Sequence, residues 1–144
     1  VTDGLSTTAY VAEQMNEFLA KSSDRRGIWR TPTTYGLPNQ LDLFADECEA
    51  MPSGAAGGPY ELRSHTYFKG TILYNHIVRP NHATCRNGST DGSSVWALTA
   101  NSLHDGGVHV LMADGAVRFV NDNIARVVWR GMGTRNGNET ITLP

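Results

Sequence analysis

Residues 103–120, LHDGGVHVLMADGAVRFV, constrain this chain more than any other stretch. Val108, Val110 and Met112 alternate with His109, Leu111 and Ala113. After Asp114-Gly115 a second β-rich run follows, Ala116, Val117, Arg118, Phe119 and Val120. Period-2 alternation sends successive side chains to opposite faces of a sheet, and Asp-Gly between two such runs signals a tight hairpin. A type I′ turn would require positive φ at both central residues, so Asp114 and Gly115 have a structural task before any chemical one. The same stretch holds His104, Asp105, His109 and Asp114, which raises the question of metal or acid–base chemistry.

Shorter elements surround the hairpin. Residues 7–11 are β-branched and aromatic and read as a strand; residues 13–22 could make a short helical turn. Residues 23–40 carry Arg-Arg-Gly, Thr-Pro, Tyr-Gly and Leu-Pro and are expected to be mostly loop. Leu41, Phe44, Ala45 and Cys48 share an i, i+3, i+4, i+7 face, which predicts a two-turn helix closed by Pro52. A glycine-rich loop follows at 52–59, then strand propensity over 66–78, a second long loop over 79–94 and a strand over 94–102. Beyond the hairpin, Asn121 or Asp122 is expected to cap a helix whose apolar face is Ile124, Val127 and Val128, ended by Gly131 or Gly133. The tail 138–144 could return as an edge strand. This order is α+β and not alternating βαβ: a single domain over 1–144, with a core from 1–14 and 72–144 and a loop-rich insertion over 15–71.

A chain of 144 residues can bury one real core. With 18% charged residues, a formal net charge of −2 and no basic run longer than Arg25-Arg26, it has no cationic stripe for a phosphate backbone, so nucleic acid is not an expected partner. Its apolar runs fall far short of the roughly 20 residues that cross a bilayer, and its first residues lack a signal-peptide pattern. Cys48 and Cys85 have no C-x-x-C or Cys/His ligand spacing. A single disulfide is the expectation, with two buried thiols as the alternative. Lysine occurs only at Lys21 and Lys69 while Asn, Thr, Ser and Gly abound, which suits an exported, loop-rich β protein.

The chemically equipped residues do not form a known catalytic pattern. His104 and His109 differ by an odd number, so on a regular strand they would face opposite sides unless Gly106-Gly107 introduces a bulge; a histidine bonded to backbone near a turn is the plainer reading. G-x-S-x-G, H-E-x-x-H, P-loop and G-x-G-x-x-G motifs are absent. His76 and His82 lie near Cys85 and could hold a metal if their loop folded back. Asn87, Ser89, Thr90 and Asp91 offer the oxygen donors of a calcium loop in composition only. Trp29, Tyr35, Tyr60 and Tyr67 are candidate contacts for sugars or a partner protein, or plugs of a small core. No catalytic, cofactor or metal residue is assigned, and a non-enzymatic chain without cofactor is expected.

His104, nine intervening residues and Asp114-Gly115, followed by AVRFVNDNIARVVWRGMGTRNGNE, resemble the C-terminal module of the pseudopilin-like proteins of planctomycete bacteria, the domain of unknown function 1559 family. VTDGLSTTAYVAEQ resembles the start of that family's core strand, and YNHIVRPNHATC its loop before the disulfide cysteine; the resemblance covers about residues 1–14 and 72–139. It implies a pilin-like globular domain with a mainly antiparallel sheet, short helices and a long irregular insertion. It also implies a prepilin-type leader and a long apolar N-terminal helix ahead of this stretch, which would then be a portion of a longer protein touching the membrane only through that helix. The implied address is extracellular or cell-surface, a periplasmic face included. The implied partners are other pilin-like subunits or secretion and pilus proteins. The family has no established activity, so the expected function is a structural or interaction module, with an extracellular ligand-binding module, glycan among its candidate ligands, as the alternative. In that frame Asp114-Gly115 make the turn and His104 braces the Gly-rich corner.

Overall fold

Alternation along the central strand divides the molecule into an inside and an outside. Val108, Val110 and Met112 are buried, while His109 and Leu111 between them are half-buried on the opposite side. The computed structural model describes residues 1–15, 27–51, 61–62, 74–88 and 95–137. Among these the chain runs β1 (Ala9–Ala12), β2 (Gly27–Arg30), α1 (Leu41–Glu49), β3 (Glu61–Leu62), β4 (Thr84–Arg86), β5 (Trp96–Ala97), β6 (Gly107–Met112), β7 (Val117–Asn121) and α2 (Arg126–Met132). The protein is a small α+β domain with mostly antiparallel pairing. A three-stranded sheet has the order β1-β6-β7, and a four-stranded sheet the order β3-β2-β4-β5.

The second sheet adds two short strands, Gly27–Arg30 and Thr84–Arg86, to tracts expected as mostly loop over 23–40 and as a long loop over 79–94, whose other described residues are irregular. β2 and β4 pair in parallel, Ile28 with Thr84, Trp29 with Cys85 and Arg30 with Arg86. Runs of four and three residues are too short to show a period of two. What makes them strands is the apolar layer they join, where Trp29, Cys85 and Ala97 pack with Phe44, Ala45, Cys48 and Val78. Three members of that layer come from α1, whose buried residues Phe44, Ala45 and Cys48 lie on the expected face. Cys48 and Cys85 are joined in a disulfide with Cα atoms 5.9 Å apart, tying α1 to β4 across 37 positions. Segment 15–71 thus supplies β2, α1 and β3.

The last helix differs from its sequence reading in start and in face. Asn121 and Asp122 do not cap it: the Asn121 side chain accepts the Asn123 N–H in a local turn, and α2 begins after Ala125 without a side-chain cap. The later start turns Trp129 and Met132, three residues apart, into the core beside Ile124, while Val127 is exposed. Gly133 follows the last turn, as expected. Residues 13–15 are not helical, because the Glu13 N–H donates to the His109 carbonyl and prolongs the β1 ladder. Residues 74–78 are irregular rather than strand. The expectations for 16–22, the glycine-rich loop from Pro52, 66–73 and the tail strand 138–144 fall outside the described residues.

Two clusters of polar bonds join the apolar cores. His76 stacks on Trp129 with ring centroids 4.0 Å apart, donates from Nδ1 to the Trp129 carbonyl at 2.6 Å, and Trp129 Nε1 donates to the Val78 carbonyl at 2.9 Å. Burial pushes the His76 ring down to about 4, against the bond to Trp129, so the ring stays neutral. The other cluster centres on Glu49, whose side chain is 6% exposed at the end of α1. Its carboxylate accepts from Arg79 at 2.7 Å and from Arg126 of α2 at 2.8 Å. Burial alone would raise this carboxyl, but the bonds from Arg126 and Arg79 overcome it and hold the group at about 2.

Because the folded value lies below the ordinary 4.5, the Glu49 contribution is complete above that pH and is lost as pH falls from about 4.5 toward 2. Glu49→Gln should cost about 3 kcal/mol at neutral pH and flatten the acid limb of stability against pH, both read by urea denaturation. Replacing Cys48 and Cys85 together by alanine should lower stability by about 4 kcal/mol in the chain-entropy model; a loss under about 1 kcal/mol would mean the disulfide closes a loop that stays closed without it.

Candidate functional site

The register of β1 against β6 places a carboxylate beside a histidine. Val11 faces Leu111 and Ala12 faces Val110, so the next residue, Glu13, falls opposite His109. The main chains confirm this step. Glu13 N–H donates to the His109 carbonyl at 3.1 Å, and His109 N–H donates to Glu13 Oε2 at 2.8 Å. The Glu13 carbonyl accepts from Asn101 at 3.0 Å, which fixes its backbone from the other side.

His104 joins them although the odd spacing argued against it, and the reason lies in Gly106-Gly107. His104 is not on the strand: the chain turns at Gly106, with φ of 77°, before β6 starts. At Gly107 a Cβ would lie 2.3 Å from the Val120 carbonyl oxygen, so only glycine permits this close approach of the hairpin arms. The corner is held from inside. Ser102 Oγ and Asn81 Nδ2 both donate to the Gly107 carbonyl, at 2.8 and 3.1 Å, and the His104 N–H donates to Ser102 Oγ at 3.1 Å. The His104 side chain points away from that corner, toward Glu13.

The three side chains converge on one oxygen. His104 Nε2 lies 3.2 Å and His109 Nδ1 3.3 Å from Glu13 Oε1, with the two rings edge to face at 4.8 Å. Partial burial pushes the Glu13 carboxyl up, but the backbone and ring bonds of His109 and the charges of both histidines when protonated bring it below 4.5. Glu13 is therefore an anion at neutral pH. His109 also meets the Phe119 ring edge-on at 5.2 Å, so the cluster borders the outer face of the sheet. Among the described residues this is the group of three His, Cys, Asp or Glu side chains able to hold a metal ion.

Asp114 sits at the other end of β6 with a separate role. Gly115 N–H donates to the Met112 carbonyl at 3.0 Å and Met112 N–H to the Ala116 carbonyl at 2.8 Å. Of the two central residues expected to have positive φ, Gly115 does, at 89°, and Asp114 does not. This is a three-residue loop, a type I turn closed by a left-handed glycine, in place of the two-residue type I′ turn. Asp114 Oδ1 accepts the Ala116 N–H at 2.9 Å and holds the turn through its side chain.

The remaining candidates are dispersed. His76 is packed on Trp129, and His82 donates to the Pro80 carbonyl at 2.9 Å, so the two do not form a shared site. Asn87 is not a calcium ligand but a buried bracket, bonding both the N–H and the carbonyl of Tyr35 at 2.9 Å. Trp29 is buried in the second core, and Tyr35 packs against it with its ring 6.3 Å from Phe44. The disulfide-linked layer encloses the Trp29 ring, whereas Tyr35 packs on that layer from outside and stays half-buried. Ser89, Thr90, Asp91, Tyr60 and Tyr67 lie outside the described residues. Glu13 went unnoticed in the sequence; it falls against His109 only through the observed register, in which a shift between Ala9 and Val11 sets Val11 opposite Leu111.

A family model described as "Protein of unknown function (DUF1559)" matches residues 1–126. The chain belongs to this family. No curated protein and no solved structure matches it. The DUF1559 match takes in Glu13, His104, His109 and Asp114 and runs through segment 15–71, which the resemblance had left unmatched.

Gly107→Ala should cost about 1–3 kcal/mol through the forced clash with Val120, seen as a lowered urea midpoint. Asp114→Ala should cost about 1 kcal/mol, whereas Asp114→Asn should be close to neutral, since its amide oxygen can accept the same Ala116 N–H.

Proposed function

We propose that this DUF1559 chain is a non-enzymatic structural or interaction module of a pseudopilin-like, surface-exposed protein, and that it docks like subunits or secretion and pilus proteins through the outer face of β1-β6-β7. The observation that supports this reading is the chemistry of that face. Tyr10 is 73%, Val11 49%, Val117 64% and Phe119 47% exposed. Cross-strand pairing sets Val11 beside Leu111, Leu111 beside Val117 and His109 beside Phe119. An antiparallel sheet with one solvated side ordinarily carries polar residues there. A continuous apolar run across three strands is instead the mark of a surface that another molecule covers.

A further observation agrees with an exported protein that works by contact. A disulfide between buried cysteines suits an oxidising compartment. No helix among the described residues is long and apolar enough to cross a membrane. The glycan-binding alternative draws less support, because Trp29 is buried in the core.

Sedimentation velocity over a range of concentrations, with cross-linking, tests the proposal. Reversible self-association is expected, weakened about tenfold or more by Val11→Glu or Val117→Glu without a change in melting temperature. A chain that stays monomeric at every concentration and is indifferent to both substitutions would remove the basis for docking through this face.

A further inference from the structure

We propose that Glu13, His104 and His109 form a binding site for a divalent transition-metal ion of the zinc class, using one carboxylate oxygen and two imidazole nitrogens and leaving the fourth position to solvent. The inference is independent of docking through the sheet face. Zinc binds oxygen and nitrogen donors at about 2.0–2.1 Å in tetrahedral sites, which places neighbouring donors about 3.3 Å apart along a tetrahedron edge. His104 Nε2 and His109 Nδ1 stand 3.2 and 3.3 Å from Glu13 Oε1. Two of the three edges are thus already at coordination length, and all three donors lie within 4.8 Å of one another. The remaining edge closes by rotation of the rings, which are 54% and 41% exposed for His104 and His109.

The surroundings prepare the donors. The His109 N–H holds Glu13 Oε2 at 2.8 Å, so Oε1 is the oxygen left to coordinate, as a monodentate ligand. Backbone contacts such as this one outside the ligand set commonly fix ligand orientation. Ser102, Asn81 and Gly107 hold the His104 backbone, and the β6 ladder holds His109. The cluster has little standing as a stabilising device, because exposed histidine–carboxylate pairs gain little over their separate hydration. Yet its members come from a strand end, a loop and a second strand, with 96 positions between Glu13 and His109. A site open on one side and built on ordered backbone suits an ion that exchanges with solvent.

Calorimetric titration of the chelator-treated chain with Zn²⁺ is the test. Saturable binding of one ion per chain is expected, weakened tenfold or more by Glu13→Gln, His104→Ala or His109→Ala and unchanged by His82→Ala. Zn²⁺ should raise the melting temperature of the unmodified chain and not that of His104→Ala. Should a variant fail to fold, the ring nitrogens of the unmodified chain decide: zinc must shift the NMR signals of His104 and His109 and leave those of His76 and His82 in place. Absence of saturable binding, binding retained in folded His104→Ala and His109→Ala, or zinc-dependent shifts confined to other histidines would each overturn the site. Because Val11→Glu and Val117→Glu spare these ligands, metal binding and self-association can fail separately.

Discussion

The buried carboxylate of Glu49 is the contact on which the arrangement of this fold most depends. It ends α1, next to the disulfide-bonded Cys48, and accepts bonds from Arg79 on the irregular segment and from Arg126 at the start of α2, which packs on the other core. A lone carboxylate so enclosed would be costly. Two guanidinium groups hold it as an anion, and each needs its own element in place. Arg126 reaches Asp46 as well, and Arg130, one turn on, reaches Asp42 at 2.6 Å. The same helix face therefore sets the distance between α1 and α2 at three points. The Trp129, His76 and Val78 bonds close the seam from the apolar side.

Legibility in the sequence followed the length of the repeating pattern. The six residues of β6 alternate cleanly, and α1 shows a full i, i+3, i+4, i+7 face, so both were readable. β2, β4 and β5 have four, three and two residues, and no period can be recognised over so few. They exist because Trp29, Cys85 and Ala97 share a buried layer with a helix. The α2 reading failed on phase. Val127 and Val128 look like a face, but the cap lies at Ala125 and the turn before it uses Asn121 for its own backbone. The site failed on partnership: the parity rule for His104 and His109 is sound on a strand, and Gly106 takes His104 off the strand. Glu13 required knowing that β1 and β6 are neighbours, a contact across most of the chain.

Gly107 connects the corner to the hairpin in a way that composition could not suggest. Its missing side chain lets the Val120 carbonyl approach, and its own carbonyl receives two donors from Ser102 and Asn81. Asn81 adopts a positive φ of 60° to do so, a strain that an asparagine tolerates better than most residues. A loop of ordinary mobility would scatter the His104 ring over many positions. Here the corner is bonded on the inside, so the ring leaves it in a restricted direction.

The central strand then accounts for both faces of the molecule by one alternation. Val108, Val110 and Met112 point inward and are consumed by the core, which forces His109 and Leu111 outward. Outward positions are free to be specified by something other than folding, and they divide along the strand. Near Gly107 the outer face is polar and titratable, with Glu13 and His104 gathered at His109. Toward Asp114 it is apolar, with Leu111 between Val11 and Val117. The Phe119 ring, edge-on to His109, is where the two halves meet.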